Sequence, residues 1–192
     1  KRAYRRPLEE SELTSLLALI QLVQEQGDPW DMGIGLALET ILTSPHFMFR
    51  VEYDPTPNTD EPGMLNAWEL ASRLSYLIWS SMPDEQLFAL AENATLTSPQ
   101  ILREQVSRML RDPKAEALVE NFAGQWLYIR AIDDASPDAW YFPDFDDELR
   151  ESMRQEMKHF VRSLFFEDVS LIDLLSSETT WLDERLGRHY GL

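Results

Sequence analysis

Apolar residues recur at helical spacing in every long segment of this chain, and nowhere do they alternate long enough to build a sheet. Leu13, Leu16, Leu17, Ile20 and Val23 make one stripe, and Ile34, Leu38, Ile41 and Leu42 a second. Leu70, Leu74, Leu77 and Ile78 make a third, and Leu102, Val106, Met109 and Leu110 a fourth. Val51-Glu52-Tyr53 is the best strand candidate, and three residues cannot found a sheet. The pattern predicts an all-α fold: an N-terminal helical hairpin packed on a multi-helix bundle, with little or no sheet.

Capping and breaking residues place the helix ends. Pro7 precedes the first helix and Gly27 ends it; the second starts near Asp31 and must stop before Pro45. Asn66 with Glu69 three residues on is a capping box. Pro83 opens a short helix carrying Leu87, Phe88 and Leu90. Ser98-Pro99 and Asp112-Pro113 each pair a cap with proline at the first helical position. The helix after Pro113 is expected to bring Leu118, Val119, Phe122 and Trp126 together. A loop from Asp133 to about Asp144 leads to the longest helix, about Asp146 to Phe166. Its expected buried face is Leu149, Met153, Met157, Phe160, Val161 and Leu164. Two short helices near Leu171–Leu175 and Leu182–His189 follow. The stretch Asp54–Gly63 holds three prolines and reads as a linker, so the expected organisation is 1–53, linker 54–63, and 64–192.

Composition narrows the function classes. There is no cysteine, which excludes disulfides, thiolate zinc sites and a Cys-x-x-Cys-His haem attachment within these residues. Thirty-four acidic against seventeen basic residues leave a net charge of −17, the opposite of a nucleic-acid binder. No stretch reaches the roughly 20 apolar residues that span a bilayer, so membrane insertion is not expected. The chain starts without methionine or a signal peptide, and is read as an excerpt of a longer polypeptide.

A few residue groups can carry chemistry. His46 and His189 are the candidate catalytic residues: brought together, they could hold a metal or haem iron. The competing reading has each satisfying carbonyls at a helix end, where histidine also complements the dipole. Glu156-Met157-Lys158-His159 has the Glu-x-x-His spacing of di-iron bundles, but a single copy is not enough and His159 points away from the expected core. A calcium loop from Asp144 fails, because its sixth and twelfth places hold Leu149 and Gln155. No metal site is therefore expected. Trp140, Tyr141, Asp144 and Asp146 are the candidate binding residues, aromatics beside carboxylates as in a sugar platform; the alternative is that the rings pin the loop to the body. Arg5, Arg6, Arg50 and Arg73 are expected to pair with carboxylates at helix ends. The three aromatics Trp68, Tyr76 and Trp79 exceed what one helix face needs, which suggests a surface for another domain.

Several phrases carry a family resemblance. Ala3-Tyr4-Arg5-Arg6-Pro7-Leu8 and Ile41-Leu42-Thr43-Ser44-Pro45-His46-Phe47-Met48-Phe49-Arg50 resemble domain of unknown function 1595, of the planctomycete type, over about residues 1–53. The stretch Glu69–Asp84, Asn121-Phe122-Ala123-Gly124-Gln125-Trp126-Leu127, Phe142-Pro143-Asp144-Phe145-Asp146 and Glu184–Gly191 resemble domain of unknown function 1592, over about 64–192. The resemblance implies a large exported protein, periplasmic or at the cell surface. It also implies neighbouring domains as partners and haem in a c-type cytochrome module elsewhere, with no cofactor in this chain. It assigns no catalytic residue. Three functions follow as expectations: a scaffold or interaction module, a component of a redox-linked enzyme, or a carbohydrate- or cation-binding module.

Overall fold

The computed structural model describes residues 1–53, 63–167 and 169–192; apart from Gly63, the linker expected at Asp54–Gly63 lies outside them. Among the described residues there are helices and turns and no strand, so the fold is all-α. Val51–Tyr53 forms no strand. The chain forms two compact units, one of Lys1–Tyr76 with Ser81–Gln105, the other of Leu77–Ser80 with Val106–Leu192.

In the first unit α1 (Glu10–Glu25) and α2 (Trp30–Thr43) pack as a hairpin. Glu9 and Glu12 close a capping box at the start of α1. Its end is a Schellman motif: Gly27 turns left-handed at φ 85°, its N–H donates to Gln24 O, and the Asp28 N–H donates to Val23 O. The helices meet through small residues. A side chain at Gly33 would come within 3.2 Å of the Ile20 backbone, and Ala37 is buried nearby in sequence. This corrects the expected stripes. Leu16 and Val23 are buried, but Leu13, Leu17, Leu38 and Leu42 are about half exposed, because close backbone approach turns the larger side chains outward.

Pro45 stops α2 and starts a further turn, α3 (Pro45–Met48), with Ser44 as its N-cap. The helix α4 (Ala67–Trp79) begins at the expected box: the Trp68 and Glu69 N–H groups donate to Asn66 Oδ1, and the Asn66 N–H donates to Glu69 Oε2. Then come α5 (Glu85–Glu92), capped by Asp84, and α6 (Pro99–Leu110), which has proline first.

The second unit is less regular. After Asp112 come a 3₁₀ turn (Pro113–Ala115), a π-helical turn (Leu118–Ala123), the short α7 (Gly124–Trp126) and a second 3₁₀ stretch (Ile129–Asp134). The single helix expected after Pro113 is thus broken. Leu118 and Val119 are buried, while Phe122 and Trp126 stack on each other at 5.8 Å and stay about half exposed. The wide turn rotates these rings off the inner face. Ala123, Ile129 and Val161 form the core there, with Leu127 and Phe165 against it.

The long helix α8 (Asp147–Phe166) is capped by Asp146 and followed by α9 (Asp173–Ser176) and α10 (Glu184–Tyr190). Of its expected face Leu149 and Val161 are fully buried, and Met153, Phe160 and Leu164 partly so. Ser152 and Ser163 are buried as well, and Met157 is exposed. Two small residues admit the chain packed on this side, and each serine hydroxyl donates to a carbonyl of its own helix, so neither hydroxyl is stranded. Trp79 is buried, and its indole N–H donates to Met109 O at 3.0 Å. It therefore serves its own unit and does not form the surface for another domain suggested by the sequence.

Candidate functional site

A cleft of about 340 Å³ opens in the first unit, around His46. Its construction starts from Arg5, which is buried and held at φ 57°, a left-handed backbone that a non-glycine residue adopts at some cost. The Arg5 guanidinium donates to His46 O and Phe49 O at 2.6 Å each and to Phe47 O at 3.3 Å. These are the carbonyls that the end of so short a helix as α3 leaves open. Arg5 thus fixes the segment that presents His46 and Arg50, and the expected carboxylate partner is replaced by backbone.

Its neighbour does form the expected pair. Arg6 donates to Glu12 Oε1 at 2.7 Å and Oε2 at 2.9 Å, a two-point contact. This guanidinium, aided by the Glu9 backbone N–H, lowers the Glu12 carboxyl to about 2 from an ordinary 4.5. His46 Nε2 lies 3.8 Å from the same carboxylate, and its ring leans on Tyr4 at 5.6 Å. Because the folded value is depressed, this pairing stabilises the fold fully above about pH 4.5, and the contribution is lost as pH falls toward about 2. Glu12→Gln is expected to cost on the order of 1–2 kcal/mol at neutral pH, after allowance for solvent screening, and nothing at the acid end. Urea midpoints of both proteins measured across that window check this; a constant gap would refute it.

The other wall is built from α4 and the segment before the undescribed residues. Arg73 grips Glu52 through both carboxylate oxygens, and Glu69 accepts from the Tyr53 and Asn66 backbone N–H groups. Trp68 stands against Phe88 at 5.9 Å. Tyr76 lies between two guanidiniums: Arg5 bonds its hydroxyl, and Arg50 stacks on the ring at 4.9 Å. Tyr76, too, is used within its own unit.

The second candidate region lies near the C-terminus. Trp140, Tyr141 and Phe142 are 86, 74 and 59% exposed, so they do not pin the loop. Phe145 does, under the Arg150 guanidinium at 5.0 Å, and Arg150 also donates to Ala135 O at 2.7 Å. Asp146 accepts the Leu149 N–H at 2.8 Å as helix cap and is bonded by Arg185 at 3.2 Å; cap and guanidinium together hold its carboxyl below the usual range. Arg185 also donates to Asp144 O at 2.5 Å. Asp146 is thus a structural clasp between loop and α10, and Asp144 takes part through its backbone. Glu156, the acid of the Glu-x-x-His pair, accepts from Thr180 at 2.7 Å and from the Tyr190 hydroxyl at 2.9 Å, anchoring the last segment. Burial and that carboxylate raise the Tyr190 phenol. His159 is exposed. His189 is exposed at the end of α10, its ring 5.8 Å from Tyr190.

His46 and His189 belong to different units, each with surroundings of its own. Trp140, Tyr141, Asp144 and Asp146 are brought together on one loop. Among the described residues no cluster of three or more histidines or acids has metal-binding geometry. The sequence reading missed Tyr4 and Trp68 as cleft walls. Tyr4 shows in the sequence only as a ring beside two arginines and Trp68 only as an aromatic at a helix start, patterns any surface can show. No helix among the described residues is long and apolar enough to cross a membrane.

Fold and geometry define an all-helical module with a ring-lined cleft and an exposed aromatic loop. A family model described as "Protein of unknown function (DUF1592)" matches residues 65–192, and another, "Protein of unknown function (DUF1595)", matches residues 1–52. The first covers more than half of the chain, and the protein belongs to that family. The order of the two is the one the sequence phrases implied. No curated protein and no solved structure matches the chain.

Proposed function

We propose that this chain is an interaction module of a larger polypeptide, and that the loop Trp140-Tyr141-Phe142 is where a neighbouring domain docks. The carrying observation is that three consecutive large rings stand in solvent while the loop beneath them is clasped by Arg150 and Arg185. Burying one such ring contributes roughly 1.5–3 kcal/mol, so an exposed row of them on a fixed support is a ready contact surface. The family resemblance supports the setting we propose: an exported multidomain protein with a c-type cytochrome module elsewhere. His46 and His189 receive no haem role in this reading.

The test compares amide exchange in this chain alone and within its longer polypeptide. Residues 138–142 are expected to exchange more slowly in the longer protein. Trp140→Ala with Tyr141→Ala should abolish that protection yet shift the stability of the isolated chain by no more than about 0.5 kcal/mol. Equal exchange in both contexts would sink the docking role. If a neutral oligosaccharide protects the loop in place of a domain, the rings serve carbohydrate binding, as aromatics beside acids also allow.

A further inference from the structure

In the first unit, the cleft around His46 has walls whose charges are nearly all committed. Glu9 accepts the Glu12 backbone N–H, Arg6 is held by Glu12 behind the wall, Glu52 by Arg73, and Glu69 by two backbone N–H groups. Arg5 is spent on three carbonyls. Arg50 is different. Among the described residues its guanidinium has no hydrogen-bond acceptor and no ion pair; its only partner is the face of Tyr76. That stacking orients a planar fork of donors without using them, and the fork belongs to the lining of the cleft. Beside it stand the rings of Tyr4, Tyr53 and Trp68. The cavity, about 340 Å³, is at the small end of the roughly 300–1,000 Å³ of small-molecule sites.

We propose that this cleft binds a small organic acid, its carboxylate received by Arg50 and its six-membered ring set against Tyr4 and Trp68. A planar two-oxygen anion matches the guanidinium fork, and every other cation of the lining already has an anion or carbonyl partner. The net charge of −17 does not preclude this, because acids beyond about 8 Å are screened at physiological salt. The ring body has two chemical sources, an aromatic acid or a uronic acid, and both share the carboxylate on a six-membered ring. Arg50 is exposed, so affinity should be modest, in the millimolar range. The site rests on residues of the first unit and is independent of the loop at Trp140.

The experiment titrates the whole 192-residue chain with benzoate and, separately, with glucuronate, following the Arg50 Nε–H and Trp68 indole resonances by NMR. At least one acid is expected to shift both signals saturably, and which one does so identifies the ring body. Benzamide and methyl glucoside, neutral counterparts, should bind at least about tenfold more weakly. Arg50→Gln should weaken the acid by a similar factor, and Arg50→Lys should recover only part of it, since a point charge lacks the fork. Failure of both acids to shift either signal at millimolar concentration overturns the proposal. So does equal affinity for an acid and its neutral counterpart, a comparison that needs no variant. Binding unchanged in Arg50→Gln, with an intact helical circular dichroism spectrum, overturns it as well.

Discussion

Replacing Arg5 by methionine is expected to lower the stability of the first unit by about 3 kcal/mol, although the substitution conserves most of the side-chain volume. The loss does not come from packing. Arg5 supplies the donors for His46 O, Phe47 O and Phe49 O, and it also bonds the Tyr76 hydroxyl. Hydrogen bonds from a charged donor are each worth more than neutral ones, and the carbonyls left behind gather no replacement from methionine. Lysine should recover little, because one ammonium cannot span acceptors that a planar fork reaches from two nitrogens. The positive φ remains in both variants, so backbone strain drops out of the comparison. Native-state amide exchange of α3 and the start of α4 is the readout, since the chain has two units and one global midpoint would mix them. A loss below about 1 kcal/mol in Arg5→Met would mean that water satisfies these carbonyls and that the residue does not organise the cleft.

Leu186→Ala is expected to cost about 3–4 kcal/mol and to release α10 from α8. Leu186 is fully buried, as is Leu149, and the α10 start is held by Asp183, which accepts the Leu186 N–H at 2.8 Å. The Ser152 hydroxyl and that N–H together keep the Asp183 carboxyl below its ordinary value, so the cap is charged across the neutral range. Truncating Leu186 leaves a cavity beneath a seven-residue helix whose other anchors, Arg185 and Tyr190, are polar and at its edge. The consequence should reach the aromatic loop, because Arg185, one position earlier, carries the clasp to Asp144 and Asp146. Exchange of residues 138–146 should therefore quicken together with that of α10. If α10 loosens and the loop does not, Arg150 and Phe145 alone support the loop.

Much of the fold was legible in the chain. Asn66 with Glu69, Ser44 before Pro45, Asp112 before Pro113 and Gly27 act through local chemistry, and local chemistry can be read from a string. What the string hid depends on how closely elements approach. Gly33 lets α1 and α2 meet so tightly that Leu13 and Leu38 turn outward, and the burial of Ser152 in place of Met157 is decided by the chain packed on α8. The break at Leu118–Ala123 holds no proline or glycine within it to announce it. For the candidate sites, the loop residues were legible because they are contiguous. The cleft was not. It is assembled from Tyr4, His46, Arg50 and Trp68, and Arg50 is distinguished by having no hydrogen-bond acceptor among the described residues, which no sequence pattern displays.

The π-helical turn at Leu118–Ala123 has a meaning in terms of chain length. A π turn takes up one residue more than an α turn while the flanking helix keeps its direction. Within it Val119 and Ala123 both stay buried, while Phe122 between them faces solvent. The segment is a helix that holds one residue more than an ordinary turn would, and the chain runs on from it into α7. Removing a single residue there is expected to leave an ordinary helical turn and to carry Phe122 and Trp126 back toward the inner face, which makes this turn the setting of those two rings.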